Sequence, residues 1–198
     1  MNDSQSAWAI GLSAWIIQDG NYGEFETGQN AEFALEFFTQ SALPSAAKVR
    51  SATPRGAAKY EINGEVVYLN AELLVLDFGI RAFHQAKPQA GLSVGTFVSA
   101  EIYLGVDPFF YFERFCQLPG MQPLIYSWNV DCILQQTPPF IETLGPSGQK
   151  VLTRDPQELG FKAITKTDAW KDYGGNGEYV LSCSRLDVPP KFEKSTRT

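Results

Sequence analysis

The sequence is poor in the side chains that most often carry catalysis or bind metals. Its 198 residues include one histidine, His84, and three cysteines that lie far apart and form no CxxC pair. This composition argues against a zinc site. We therefore predict no metal and no cofactor, and we assign no catalytic residue. His84 is expected to be an ordinary residue at a strand end or in a loop.

The cysteines and the first residues of the chain favour a reducing compartment. Cys132 and Cys183 fall on the apolar positions of alternating runs, where a thiol acts as a small buried hydrophobe. The sequence begins MNDSQSAWAIGLSAWII, with an acid and no base ahead of its apolar stretch, unlike a secretory leader. We expect Cys116, Cys132 and Cys183 to be free thiols of a cytoplasmic protein.

Long hydrophobic runs and excess positive charge are also missing. Serine, glycine or a charged residue interrupts every apolar stretch before the ~18 residues that a membrane helix requires. The formal net charge is −6, so phosphate backbones and anionic lipids would be repelled. We expect neither a nucleic acid nor a membrane as partner. Hydrophobic residues nevertheless make up 44% of the chain, which is enough for a folded core.

Helical periodicity is scarce, and apolar residues alternate with period two along most of the chain. In Leu124–Gln135, for example, every even-numbered residue is apolar. The pattern predicts one mainly-β domain over residues 1–188, a single antiparallel β-barrel or β-sandwich with at most short helical turns. A disordered tail is expected over 189–198. The predicted strands are Leu12–Asp19, Ala31–Phe38, Lys59–Asn70, Leu73–Phe83, Thr96–Val106, Phe109–Phe115, Leu124–Gln135, Phe161–Lys166 and Glu178–Leu186.

Two local signals predict particular turns. The pair Asn63-Gly64 is typical of a type I′ hairpin turn, because both central residues of that turn need a positive φ. The stretch Asp155–Gly160 has an acid at the N-cap position, then proline, and ends on glycine, which predicts one capped helical turn.

Two segments of the chain share the same spacing of apolar residues. GQNAEFALEF begins at Gly28 and GTFVSAEIYL begins at Gly95, and in both the third, fifth, seventh and ninth residues after the glycine are apolar. Glycine permits a bend or bulge where a strand enters a curved sheet. The shared spacing suggests an internal duplication of a strand–bend–strand unit; alternatively, two alternating strands share this spacing by chance.

The candidate ligand site lies on strand faces that point away from the predicted core. Phe97, Glu101 and Tyr103 share one face of their strand, and Arg81 lies on the outward face of the strand before it. Interleaved aromatic rings and opposite charges suit a polar ligand that stacks on rings, such as a sugar or a peptide side chain. Alternatively, a second layer covers Phe97 and Tyr103 and makes them part of the core.

Charge is unevenly distributed along the N-terminal part of the chain. Residues 1–36 contain six acids and no lysine or arginine, whereas residues 37–60 contain four bases and no acid. The basic stretch is rich in alanine, serine and proline, which predicts a long connecting loop over 42–58. We expect this loop to be solvated, to dock on the chain's own acidic residues or to contact an acidic partner.

These patterns favour a non-catalytic cytoplasmic binding or protein-interaction module. Its expected partner is a small polar ligand, another protein or a second copy of the chain. Two alternatives stay open: a hydrolase that uses carboxylates in a barrel mouth or sheet cleft, and a structural subunit whose outer apolar face forms an oligomer.

Overall fold

A computed structural model describes residues 7–87, 91–137, 140–154 and 160–194, and for residues 140 and 152–154 it describes the backbone. The prediction of a mainly-β chain is confirmed, since 48% of residues lie in strands and 9% in helices. The strands are β1 Trp8–Ser13, β2 Asn30–Phe33, β3 Leu35–Phe38, β4 Leu43–Pro44, β5 Ser51–Pro54, β6 Lys59–Leu69, β7 Leu73–Asp77, β8 Arg81–Gln85, β9 Phe97–Val106, β10 Tyr126–Gln136, β11 Phe140–Leu144, β12 Lys150–Arg154, β13 Phe161–Ile164 and β14 Glu178–Arg185. The α-helices are α1 Ala14–Gln18 and α2 Phe110–Glu113, and 3-10 turns occupy Phe115–Gln117 and Asp172–Gly175.

Five strands close into a barrel in the order β9, β3, β8, β7 and β6, with β6 pairing again to β9. The alternation in β9 explains the closure, because Val98, Ala100, Ile102 and Leu104 all point into the core. Most pairings are antiparallel, as expected. The contacts of β3 with β8 and of β1 with β9 are parallel, however, so the fully antiparallel prediction is wrong at these two places.

The further strands form a second circuit that shares β9 and the β2–β3 segment with the barrel. In this circuit β9 contacts β1, β1 pairs with β14, β14 pairs with β10, and β10 returns to β2. Its interior contains Trp128, which is fully buried and stacked on Phe33 with ring centroids 5.5 Å apart. One continuous core of buried apolar residues therefore fills both circuits.

The segments that follow Gly28 and Gly95 form the same local structure. These glycines have φ values of 87° and 88°, and they donate their N–H groups to the carbonyls of Val130 and Val66 at 2.7 and 2.8 Å. Each valine N–H in turn donates to the carbonyl of the residue after the glycine. A side chain would be strained at this φ, so the bend requires glycine. The predicted strand–bend–strand unit is thus present twice in the structure.

The two units pair with each other at equivalent positions. The separation along the chain from Gly28 to Gly95 equals the separation from Phe37 to Leu104, so these two pairs occupy equivalent positions in the units. Phe37 and Leu104 are direct partners in the pairing of β3 with β9. The two units therefore meet at this pair, and the strands around it are shared by both circuits.

A β-bulge interrupts one strand in each circuit. The register of β6 shifts between Val66 and Tyr68, and that of β10 shifts between Val130 and Cys132. Because a one-residue shift exchanges the two faces of a strand, Ile133 is buried whereas Cys132 is only half-buried. The predicted even-numbered alternation is therefore wrong beyond Val130.

Two predicted strands are partly or wholly helical. Leu12–Asp19 is strand only at its start and then forms α1, where Gln18 Nε2 donates to two carbonyls of the 169–175 loop at 2.7 and 2.9 Å. Phe109–Phe115 contains α2, and the Asp107 carboxylate accepts the N–H groups of two of its residues at 2.9 and 3.0 Å. A distant loop therefore stabilises α1, whereas a residue just before α2 caps that helix.

The turn predictions have mixed outcomes. Asn63-Gly64 lies in the middle of β6, so the predicted hairpin turn is wrong there. A Cβ at Gly64 would come within 3.3 Å of the Asp77 carbonyl, which indicates that glycine allows a close approach of β7. The predicted strand Leu73–Phe83 is two strands, β7 and β8, joined by a tight turn. Of the helical turn predicted over Asp155–Gly160, residues 155–159 lie outside the described residues.

The predicted loop over 42–58 contains the short strands β4 and β5, which pair with β9 and β6. Its arginines dock on the chain itself. Arg50 forms ion pairs with Glu65 at 2.5 Å and with Asp77 at 3.7 Å, and Arg55 forms one with Glu61. The acids involved belong to β6 and β7, outside the acidic N-terminal segment.

The first part of the predicted disordered tail packs on the domain. Lys191 exchanges two backbone hydrogen bonds with Ile125, of 2.8 and 3.0 Å, and Lys194 contacts the ring of Tyr22. Residues 189–194 therefore differ from the expected disorder, and residues 195–198 lie outside the described part of the chain.

Candidate functional site

A concave groove of about 480 Å³ lies beside β9, and it contains two of the four predicted ligand-binding residues, Glu101 and Tyr103. We call it the β9 groove. It forms where the end of β3, the turn after it and the start of β6 meet the middle of β9. Its lining residues are Phe38, Thr39, Gln40, Ser41, Lys59, Glu101, Ile102 and Tyr103.

The strand register explains why these side chains meet. Tyr103 pairs with Phe38 on one side and with Lys59 on the other, so an aromatic residue and a base flank the same point of β9. Thr39 Oγ1 hydrogen-bonds the carbonyl of Glu101 at 2.8 Å, which holds the turn after β3 against the groove. Phe38 remains 52% exposed, so its ring is available for stacking.

Two opposite charges face the groove. Lys59 and Glu101 are both exposed, and within the described residues neither side chain forms an ion pair or a side-chain hydrogen bond. Arg55 interacts electrostatically with Glu101 and adds positive charge nearby, although its own ion pair is with Glu61. The groove thus offers a free ammonium and a free carboxylate around a small apolar surface.

Tyr103 lines the groove and is half-buried. Burial, together with the charges of Glu178 and Glu36, raises the pKa of its phenol to about 12. The hydroxyl therefore stays protonated at neutral pH and can act as a hydrogen-bond donor. The same ring lies directly against the backbone of Gly11 in β1, so that a Cβ at Gly11 would overlap it.

We predict that Gly11→Ala lowers the free energy of unfolding by about 1–3 kcal/mol, because the new methyl displaces the Tyr103 ring from a packed position. Gly105→Ala is the matched control. Gly105 is the direct β9 partner of Gly11, and a Cβ there would lie 3.7 Å from the Glu36 side chain, an ordinary contact. Urea denaturation of both variants measures the difference, and equal losses would contradict this account of Gly11.

Arg81 and Phe97, the other two predicted residues, lie outside the β9 groove. The Arg81 guanidinium lies 3.5 Å from the Asp77 carboxylate, and Asp77 also contacts Arg50. Phe97 is half-buried beside Glu65, its partner in β6. The structure therefore brings two of the four predicted residues together and places Arg81 in an ion-pair network between neighbouring strands.

Part of the predicted outward face is covered by a second layer. Phe83, on the outward face of β8, is buried against Phe115 with ring centroids 5.4 Å apart. The segment from α2 to the start of β10 forms a smaller apolar cluster on this side of the barrel. The second layer therefore covers β7 and β8, whereas Phe97 and Tyr103, the residues of the covered-face alternative, are half-buried.

Sequence reasoning missed a pair of inner carboxyl groups, Glu36 and Asp107. Asp107 is fully buried, and burial raises its pKa to about 6 despite the backbone N–H groups that it accepts. Burial and the charge of Asp107 raise the pKa of Glu36 to about 8. The Asp-Pro pair at 107–108 is a sequence signal for the start of a helix, and this signal could have identified Asp107. Glu36 has no comparable signal, because it is one of the ordinary polar residues of an alternating strand. Neither carboxyl lines the β9 groove.

Within the described ranges, no group of three or more histidine, cysteine, aspartate or glutamate side chains could hold a metal ion. The helices in this part of the chain are too short to cross a bilayer. No protein-family model, curated protein or solved structure matches the chain. Functional inference therefore rests on the chemistry of the groove itself.

Proposed function

We propose that this protein is a binding module whose β9 groove holds a small zwitterionic ligand, such as a free amino acid or a short peptide. The observation that carries the proposal is the placement of Lys59 and Glu101, oppositely charged and without ion-pair partners among the described residues, in one groove of about 480 Å³. Ligand pockets commonly have volumes of about 300–1,000 Å³.

The side chains suggest how such a ligand lies. Its carboxylate faces the Lys59 ammonium, its ammonium faces Glu101, and its apolar part stacks on the exposed ring of Phe38. Gln40 and Ser41 offer further hydrogen-bonding groups at the same rim. Because the charges are solvent-exposed and each such ion pair is worth about 0–1 kcal/mol, we expect weak binding.

The proposal is tested by titrating the ¹⁵N-labelled protein with glycine, L-phenylalanine and the dipeptide Gly-Phe. We expect amide shifts at Gln40, Ser41 and Glu101, with tighter binding of the two phenylalanine-containing probes. Acetate and methylammonium, each with a single charge, should bind more weakly, because each engages only one of the two charged residues.

Substitutions of the two charged groove residues test whether the probes bind in the β9 groove. Lys59→Met and Glu101→Gln should each weaken binding about fivefold, whereas the matched controls Lys162→Met and Glu113→Gln, which remove exposed charges elsewhere, should not. The proposal is wrong if no probe shifts groove amides at about 20 mM, or if the groove variants bind as the controls do.

A further inference from the structure

A second, larger groove of about 1010 Å³ lies beside β2, and the chain's own segment Lys191–Lys194 runs along its edge, where Lys194 lines it. Tyr22, Glu32, Ser127 and Lys194 are among its lining residues. We call it the β2 groove. It belongs to the second circuit of strands and shares no lining residue with the β9 groove.

The ammonium of Lys194 lies between two aromatic rings. Its Nζ is 3.5 Å from the ring centroid of Tyr22 and 4.0 Å from that of Phe112, and the two rings meet edge to face at 6.5 Å. The same ammonium donates to the carbonyl of Asn21 at 3.2 Å, and it interacts electrostatically with the buried Asp107. Aromatic faces, a carbonyl and a carboxylate together recognise a primary ammonium group.

Lys191 provides a second anchoring point. Its backbone exchanges two hydrogen bonds with Ile125, and its Nζ donates to Glu32 at 2.6 Å. Ser127 Oγ also lies 3.3 Å from the same Glu32 oxygen, which orients this carboxylate. Main-chain pairing combined with side-chain pockets is how many domains bind extended peptides.

The residues between the two lysines contribute little burial. Phe192 is 45% exposed although it is apolar, Glu193 is exposed, and the backbone bends at both positions. Two lysine side chains and one pair of backbone hydrogen bonds therefore provide most of the described contacts of Lys191–Lys194. These polar contacts are only partly buried and few in number, so the segment can exchange with another segment of the same chemistry.

We propose that the surface contacted by Lys191–Lys194 at the edge of the β2 groove is a binding site for a basic peptide with two lysines three residues apart, and that Lys191–Lys194 occupies this surface in cis. The Tyr22 and Phe112 rings select the second lysine, Glu32 selects the first, and the Ile125 backbone sets the register. The cis segment acts as a competitor at high effective concentration, so a peptide in trans gains access when this segment is released.

The test uses the full chain with the double substitution Lys191→Met/Lys194→Met, which removes both anchoring charges. The probe is a fluorescein-labelled peptide of residues 187–194, DVPPKFEK, followed by fluorescence polarisation. We expect the double variant to bind the peptide at least about tenfold more tightly than the unsubstituted chain. Lys48→Met/Lys162→Met is the charge-matched control and should bind as the unsubstituted chain does.

Two further measurements separate a peptide site from a purely structural segment. Adding Phe112→Leu to the double variant should abolish peptide binding, and a peptide with methionine at both lysine positions should not bind. In the unsubstituted chain, the Lys191 amide should exchange with deuterium much faster than the Leu181 amide of the core strand β14. No binding by the folded double variant, binding insensitive to Phe112→Leu, or equally slow exchange at the two amides would each overturn the proposal.

Discussion

Replacement of Ile102 by alanine is expected to lower the free energy of unfolding by about 2–5 kcal/mol. Ile102 is 1% exposed and lies in β9, the strand that belongs to both circuits, so its side chain packs in the core that they share. Truncation removes three methyl or methylene groups and leaves a cavity that the surrounding strands cannot close, since their positions are set by pairing on both sides of β9.

The neighbouring residue provides the control. Glu101 is exposed, so Glu101→Gln should change the free energy of unfolding by less than about 0.5 kcal/mol. Urea denaturation with an unchanged slope measures both variants. A larger loss for Glu101→Gln than for Ile102→Ala would mean that the faces of β9 are assigned the wrong way round, because adjacent strand residues point to opposite sides.

Glu36→Gln is expected to stabilise the protein at alkaline pH and to have little effect at pH 4. Burial and the charge of Asp107 raise the pKa of Glu36 from 4.5 to about 8. The neutral amide avoids the cost of holding an ionised carboxylate in this position. Allowing for the partial exposure of Glu36, we expect a gain of about 2–4 kcal/mol at pH 9.

The direction of the pH dependence follows from proton linkage. Between pH 4.5 and about 8 the folded state keeps a proton on Glu36 that the unfolded state has already lost. Unfolding therefore releases a proton, and stability falls as the pH rises through this window. Asp107, whose pKa is raised from 3.8 to about 6, contributes a fall in the same direction over its own lower window. Each group's contribution to the free energy of unfolding is fully present below its unfolded-state pKa, 4.5 for Glu36 and 3.8 for Asp107.

Denaturant titrations at pH 4, 6 and 9 measure this dependence. The loss of stability between pH 4 and 9 should be clearly smaller in Glu36→Gln than in the unsubstituted chain. Glu113→Gln, which removes an exposed carboxylate, should leave the dependence unchanged. A pH dependence that is the same with and without the Glu36 carboxyl would show that this group ionises normally in the folded state.

Much of the sheet could be predicted from local sequence because each long strand carries its own alternation. The predictions over Lys59–Asn70, Thr96–Val106 and Glu178–Leu186 differ from β6, β9 and β14 by one residue at most at either end. The repeated glycine bend was also visible, since Gly28 and Gly95 precede the same apolar spacing and both need a positive φ. The positions of Glu101 and Tyr103 on the open side of β9 followed from the same alternation.

The two bulges were not visible in the sequence, and both short helices were predicted as strands. A bulge changes the register of one strand relative to its partner, so it is defined by the pairing of distant segments. Helices as short as α1 and α2 are not stable by local preference alone; the distant 169–175 loop holds α1, and α2 packs in the apolar cluster that contains Phe83 of β8. In the same way, Asn63-Gly64 has the local signal of a turn, but pairing with β9 on one side and β5 on the other keeps it extended.

The sequence by itself determined the fold class, the inward and outward faces of the long strands up to their bulges, and the glycine bend, because each depends on residues that are neighbours along the chain. Only the tertiary structure decided which residues meet across strands. It places Lys59 of β6 beside Glu101 of β9, Asp107 near Glu36, and Lys194 between Tyr22 and Phe112. These contacts join residues that are far apart along the chain, and strand pairing and barrel closure, which no local pattern encodes, bring them together.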